Sequence, residues 1–139
     1  MKINQIMSKK VEYVDPKLPI GKAAEKMRDL NIGFLPICEN DKLVGTVTDR
    51  DITIRSVPQG RDPRLTPVSE IMTQDVFYCY DDDNLERVAQ YMQEKGVRRM
   101  VILNRQKRLV GVASLGDIAK TSGEKQLAGE TLGEIAEAA

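Results

Sequence analysis

The feature that most restricts what this chain can become is that it is written twice. Met7 aligns with Met72, an offset of 72 − 7 = 65, and the same offset pairs Ile6 with Ile71, Val11 with Val76, Ala24 with Ala89, Met27 with Met92 and Ile37 with Ile102. Past the Asn40-Asp41 turn the second copy gains one residue and the offset becomes 111 − 45 = 66. Leu43, Val44, Gly45, Asp51 and Ile52 then match Leu109, Val110, Gly111, Asp117 and Ile118. The matches fall mostly at apolar or small positions, so one structural unit is repeated in tandem.

Each copy predicts the same order of elements. A short lead-in (Ile6-Met7, Ile71-Met72) is followed by a strand-like segment, Val11–Val14 or Val76–Tyr80. A helix follows, its apolar face carried by Ile20, Ala23, Ala24, Met27 and Leu30 in copy one and by Leu85, Val88, Ala89 and Met92 in copy two. Asn84 is a good N-cap, and Asp81–Asp83 put negative charge near that helix's positive end. Asn31 and Gly96, which align, suit left-handed C-caps. Two apolar runs joined by polar turns then predict hairpins, Phe34–Cys38 with Leu43–Val47 and Met100–Leu103 with Leu109–Ala113. A second helix is expected over Asp49 to about Val57 and Leu115 to about Thr121. Pro58, Gly60, Pro63 and Pro67 mark a linker. Beyond it, Gln126–Ala139 spaces Leu127, Leu132 and Ile135 at helical intervals but contains Gly129 and Gly133, which predicts a weak helix available to a partner.

The fold class expected is therefore α+β: two β-α-β-β-α repeats with pseudo-two-fold symmetry and a short C-terminal helix. The predicted division is 1–66 for the first repeat with its linker, 67–122 for the second and 123–139 for the tail. About 60 residues is marginal for an independent core, so the copies are expected to pack on each other around a cleft with two related sites.

Composition excludes several classes. Basic and acidic residues both number 21, so no net field exists to hold nucleic acid or an anionic membrane. No apolar stretch is long enough for a span and none follows a basic start, which points to a cytoplasmic protein. Histidine is absent, removing the usual general base and the usual metal ligand, and the chain has no Walker or dinucleotide fingerprint. Neither catalysis nor metal binding is expected. Cys38 and Cys79 lie in apolar runs as buried thiols do, and the sequence leaves their pairing open.

The chemistry gathers at GTVTDRD, Gly45–Asp51, and its echo GVASLGD, Gly111–Asp117; both read G-x-x-[ST]-x-x-D. A hydroxyl and a carboxylate at a strand-to-helix junction can meet a sugar diol and a phosphate. The same spacing is a capping box, in which the hydroxyl serves an orphan amide and the acid reaches back. Arginine's planar fork makes Arg50, Arg98 and Arg99 the phosphate candidates, although Arg98 and Arg99 could also pair with Asp81–Asp83 on the surface.

With the IM lead-ins, GFLPIC at Gly33–Cys38, VRRMVIL at Val97–Leu103 and TDRDI at Thr48–Ile52, the chain over roughly residues 3–121 resembles the cystathionine β-synthase (CBS) domain. That domain occurs as tandem pairs, among them small stand-alone bacterial proteins such as hypoxic-response proteins. The resemblance implies a regulatory, non-catalytic module that needs no cofactor and binds an adenosyl ligand (AMP, ADP, ATP, NAD or S-adenosylmethionine) in the cleft between repeats. It further implies a homodimer of flat-disc form, with a protein partner of unspecified identity reading the dimer's geometry. By the same resemblance Asp51 with Thr48, and Asp117 with Ser114, hold ribose and phosphate. The base would rest on Ser8, Ile32, Gly33 and Phe34 for the Asp117 site, and on Thr73, Val97 and Arg98 for the Asp51 site. Phe34 could stack on a base or fill the pocket; in the second case the chain would be a ligand-free dimerisation scaffold.

Overall fold

The computed structural model describes residues 1–121 and 123–138, and these form two compact units. One is Glu12–Val76; the other joins Met1–Val11 to the chain from Phe77 onward. Among the described residues no helix is long and apolar enough to cross a membrane.

In the Glu12–Val76 unit, α1 (Ile20–Leu30) leads into β1 (Phe34–Glu39), β2 (Lys42–Thr48) and α2 (Asp49–Ser56). Helix α1 stops at Asn31, which takes the left-handed conformation (φ 53°, ψ 49°) its side chain tolerates. Its N-terminus has no side-chain cap. Instead Ile20 N–H donates to Thr66 O and Gly21 N–H to Pro63 O, both at 2.9 Å, so the proline-rich linker satisfies amides that would otherwise be orphaned. The β1–β2 hairpin turns through Asn40 and Asp41, both with positive φ (51° and 63°), the geometry that a two-residue turn matched to strand twist requires.

The expected strand at Val11–Val14 is reduced to one parallel bridge between Val14 and Ile37, with Val14 N–H on Pro36 O and Cys38 N–H on Val14 O, both 3.0 Å. Pro36 has no N–H to carry the ladder back toward Glu12, and Pro16 ends it on the other side. In the second copy Val101 stands where Pro36 does, and a true strand forms there.

The other unit contains β3 (Tyr78–Tyr80), α3 (Leu85–Lys95), β4 (Arg99–Leu103), β5 (Leu109–Ser114), α4 (Leu115–Lys120) and α5 (Lys125–Ala138). Strand β3 runs parallel to β4 and β5 antiparallel to it. Asn84 caps α3 by accepting the Arg87 N–H at 2.8 Å, and Gly96 ends it at φ 66°. The expected C-terminal helix is present. Helix α5 spans the stretch despite its two glycines because it packs on α3 and α4 of its own unit, burying Ala128, Thr131 and Ile135 rather than Leu132, which is 43% exposed. Thr131 Oγ1 accepts from Gln93 Nε2 at 3.1 Å.

The lead-ins change places. Val68–Glu70, a 3₁₀ turn, sends Val68 and Ile71 into the core built from copy one. Ile3–Gln5 sends Ile3 into the core built from copy two. The repeats as written and the units as packed therefore differ by an exchange of these segments. Cys38 and Cys79 are buried free thiols, one in each unit. Burial, with some help from Asp41, raises the Cys38 thiol; burial, then Asp83, pushes that of Cys79 up to about 12. Both are poor nucleophiles.

Candidate functional site

Strand β2 hands the chain to α2 at Thr48, whose extended backbone (φ −115°, ψ 164°) makes it the N-cap. Thr48 Oγ1 accepts the Asp51 N–H at 3.0 Å, and Asp51 Oδ2 accepts the Thr48 N–H at 3.1 Å. The echo does the same. Ser114 Oγ accepts the Asp117 N–H at 3.0 Å, and Asp117 Oδ2 accepts the Ser114 N–H at 2.9 Å. Both turns are thus complete capping boxes. Each box uses one carboxylate oxygen and leaves the other for a different partner.

The glycine that opens each motif serves the exchanged lead-in. Thr73 and Thr46 trade backbone hydrogen bonds at 2.9 Å, and Ser8 and Val112 trade theirs at 3.0 and 3.2 Å. A Cβ on Gly45 would lie 2.6 Å from Met72 Sδ and 3.0 Å from Thr73 O; one on Gly111 would lie 2.6 Å from Met7 Sδ and 2.9 Å from Ser8 O. Only glycine lets the two backbones meet so closely. The exchange brings Thr73 two strand positions from Thr48, and Ser8 two from Ser114.

The remaining candidates divide by unit. Ile32, Gly33 and Phe34 lie beside the Thr48–Asp51 turn: Phe34 pairs with Thr48 across the hairpin, Gly33 O accepts the Asp49 N–H at 3.1 Å, and Ile32 is 37% exposed. Phe34 is half-buried at the start of β1. Arg50 is exposed on the first turn of α2. Val97, Arg98 and Arg99 lie beside the Ser114–Asp117 turn, where Arg99 pairs with Ser114 and Arg98 O accepts the Leu115 N–H at 2.9 Å. Both arginines are exposed. The surface pair expected with Asp81–Asp83 is made instead by Arg105, 2.8 Å from Asp82. That contact holds Asp82 below the usual carboxylate range.

One residue at the first turn is absent from the motif-based candidates. Arg55 places Nη2 3.4 Å from Asp51 Oδ1 and donates through Nη1 to Ile71 O at 3.0 Å and Thr73 Oγ1 at 3.1 Å. It lies one helical turn beyond Asp51, a spacing that marks facing side chains. That i, i+4 relation was the available signal.

A groove of about 310 Å³ lies between α1 and α2, lined by Ala24, Met27, Arg28, Ile32, Asp49, Ile52 and Thr53. The repeat-equivalents of three of these, Ala89, Met92 and Ile118, are fully buried in a core that includes Ala128 and Ile135 of α5. The same helix-pair surface is sealed by α5 in one unit and left open in the other.

The CBS domain family profile matches residues 3–57 and 68–124. The CBS domain-containing protein YhcV of Bacillus subtilis is 37% identical over 96% of this chain and 94% of its own length. Hypoxic response protein 1 of Mycobacterium tuberculosis is 34% identical over 83% of this chain and 80% of its own. Among solved structures, the CBS domain pair of protein MJ0100 in complex with 5-methylthioadenosine and S-adenosyl-L-methionine is similar with a TM-score of 0.78 at 28% identity. The match covers 90% of this chain and 98% of that one.

Proposed function

Since the chain belongs to the CBS-domain family and carries two of its repeats, we propose that it is a non-catalytic regulatory module that binds an adenosyl ligand and couples occupancy to the geometry of a homodimer. The observation that carries this reading is the duplicated turn. Each turn holds a carboxylate by a capping box on one oxygen, with the exchanged lead-in beside it. The adenosyl ligands of the similar MJ0100 pair support the ligand class. In this reading Asp51 and Asp117 take ribose hydroxyls and Thr48 and Ser114 approach ribose or phosphate. Arg50, Arg98 and Arg99 take phosphate, while Ser8, Ile32, Gly33, Phe34, Thr73 and Val97 surround the base.

Titration calorimetry with AMP, ADP, ATP, NAD and S-adenosylmethionine tests the proposal. Micromolar or tighter binding of at least one is expected; heats of dilution for all five would defeat it.

The dimer rests on the open groove. Arg28, held 2.9 Å from Asp29 of its own helix, and Asp49, whose Oδ1 accepts the Arg50 N–H, put opposite charges at its rim, so a two-fold-related second copy brings each a further opposite charge. Thr53 is exposed on this surface, and its hydroxyl donates only to Asp49 O within its own helix. Thr53→Arg is expected to convert a dimer into a monomer in sedimentation velocity while leaving the far-UV circular dichroism spectrum unchanged, with a melting temperature that no longer rises with protein concentration. A wild-type monomer, or a variant that stays dimeric, would remove this part of the proposal.

A further inference from the structure

We infer that Arg55 makes the Asp51 turn select a phosphate-bearing adenosyl ligand over the bare nucleoside. The inference rests on the adenosyl reading above and adds a specificity determinant to it. Asp51 is 8% exposed, with Oδ2 on the Thr48 N–H and Oδ1 facing Arg55. A ribose diol that takes the second carboxylate oxygen competes there with the guanidinium, which is held by a 3.4 Å ion pair. Arg55 is anchored elsewhere, on Ile71 O and Thr73 Oγ1, and its side chain is 41% exposed, so on losing Asp51 it stays at the turn as a cation without an anion. A nucleoside leaves that charge uncompensated. A phosphate on the same ligand replaces the lost carboxylate with a planar, charge-assisted contact.

The second repeat supplies the internal comparison. Its equivalent of Arg55 is Thr121, whose hydroxyl donates to Asp117 O at 3.0 Å, and among the described residues no cation pairs with Asp117. The two turns share a capping box and differ in whether a cation pairs with the carboxylate. Ligand preference should differ with them.

The experiment titrates AMP and adenosine into the Asp117→Asn chain, which retains the Asp51 turn, with Arg55 intact or replaced by Gln or Lys. The expected result is that Arg55→Gln lowers the preference for AMP over adenosine about tenfold, the loss of one charge-assisted contact, while Arg55→Lys keeps part of it. A general loosening of the Ile71–Thr73 segment would weaken both ligands equally and leave the ratio unchanged. An unchanged ratio with both ligands still bound overturns the inference and leaves the adenosyl reading standing. If the wild-type chain binds no adenosyl ligand, both fall.

Discussion

Replacing Gly111 with valine is expected to destabilise the protein by about 2–4 kcal/mol and to lower its melting temperature by on the order of 10 °C. The added atoms meet Met7 Sδ at 2.6 Å and Ser8 O at 2.9 Å. A thioether can swing aside; the Ser8 carbonyl, which accepts the Val112 N–H at 3.2 Å while the Ser8 N–H donates back to Val112 O at 3.0 Å, cannot move without disturbing that pair. The clash therefore expels the lead-in that places Ile3 in the core. Gly45→Val should act alike through Met72 and Thr73. Pairing Gly111→Val with Met7→Ala should relieve the sulfur contact but not the carbonyl, giving a coupling of roughly 0.5 kcal/mol or more in a double-mutant cycle. Calorimetric melting provides the check, and a Gly111→Val melting temperature within 2 °C of wild type, on the scale of roughly 2–4 °C per kcal/mol, would mean that the lead-in is not seated on β5.

Those glycines show where sequence pattern stops being informative. The repeat, both long helices, their left-handed caps at Asn31 and Gly96 and both hairpins follow from apolar period and turn chemistry, which are local. Which copy receives a lead-in is not local. Met7 and Met72 read alike in either arrangement, because an apolar side chain announces burial and not its address. The packing of α5 is not local either: its glycines weaken an isolated helix, while burial against α3 and α4 is a tertiary gain that composition does not display. Pro36 carried a readable signal, a missing donor in the middle of a predicted pairing, and it explains why Val14 makes a bridge instead of a strand. At the turns the G-x-x-[ST]-x-x-D pattern located the capping boxes. Arg55 lies outside that pattern; its i, i+4 spacing from Asp51 is legible in the sequence, whereas its span from Asp51 to the exchanged Ile71–Thr73 segment depends on tertiary placement.

Asp51→Asn and Asp117→Asn are expected to weaken adenosyl-ligand binding about 100-fold, each at its own turn, with little loss of stability. Asparagine keeps a carbonyl oxygen that can still accept the Thr48 or Ser114 N–H, so the capping box survives; alanine would remove it at a cost of about 1 kcal/mol and confuse the two effects. What asparagine changes is the other side. An amide NH₂ stands where a ribose diol needs an acceptor, and two charge-assisted hydrogen bonds of about 1.5 kcal/mol each are lost, which sets the hundredfold scale. Each single variant should lower the calorimetric stoichiometry by one site, and the double variant should give no measurable heat. The Asp51 variant carries an additional consequence, since Arg55 loses its carboxylate in the unliganded protein as well. Phosphate-bearing ligands then have less internal competition to overcome, and at that turn AMP should retain more affinity than adenosine does. Undiminished binding in the double variant would remove the carboxylates from the proposed site and leave Thr48-x-x-Asp51 and Ser114-x-x-Asp117 as helix caps alone.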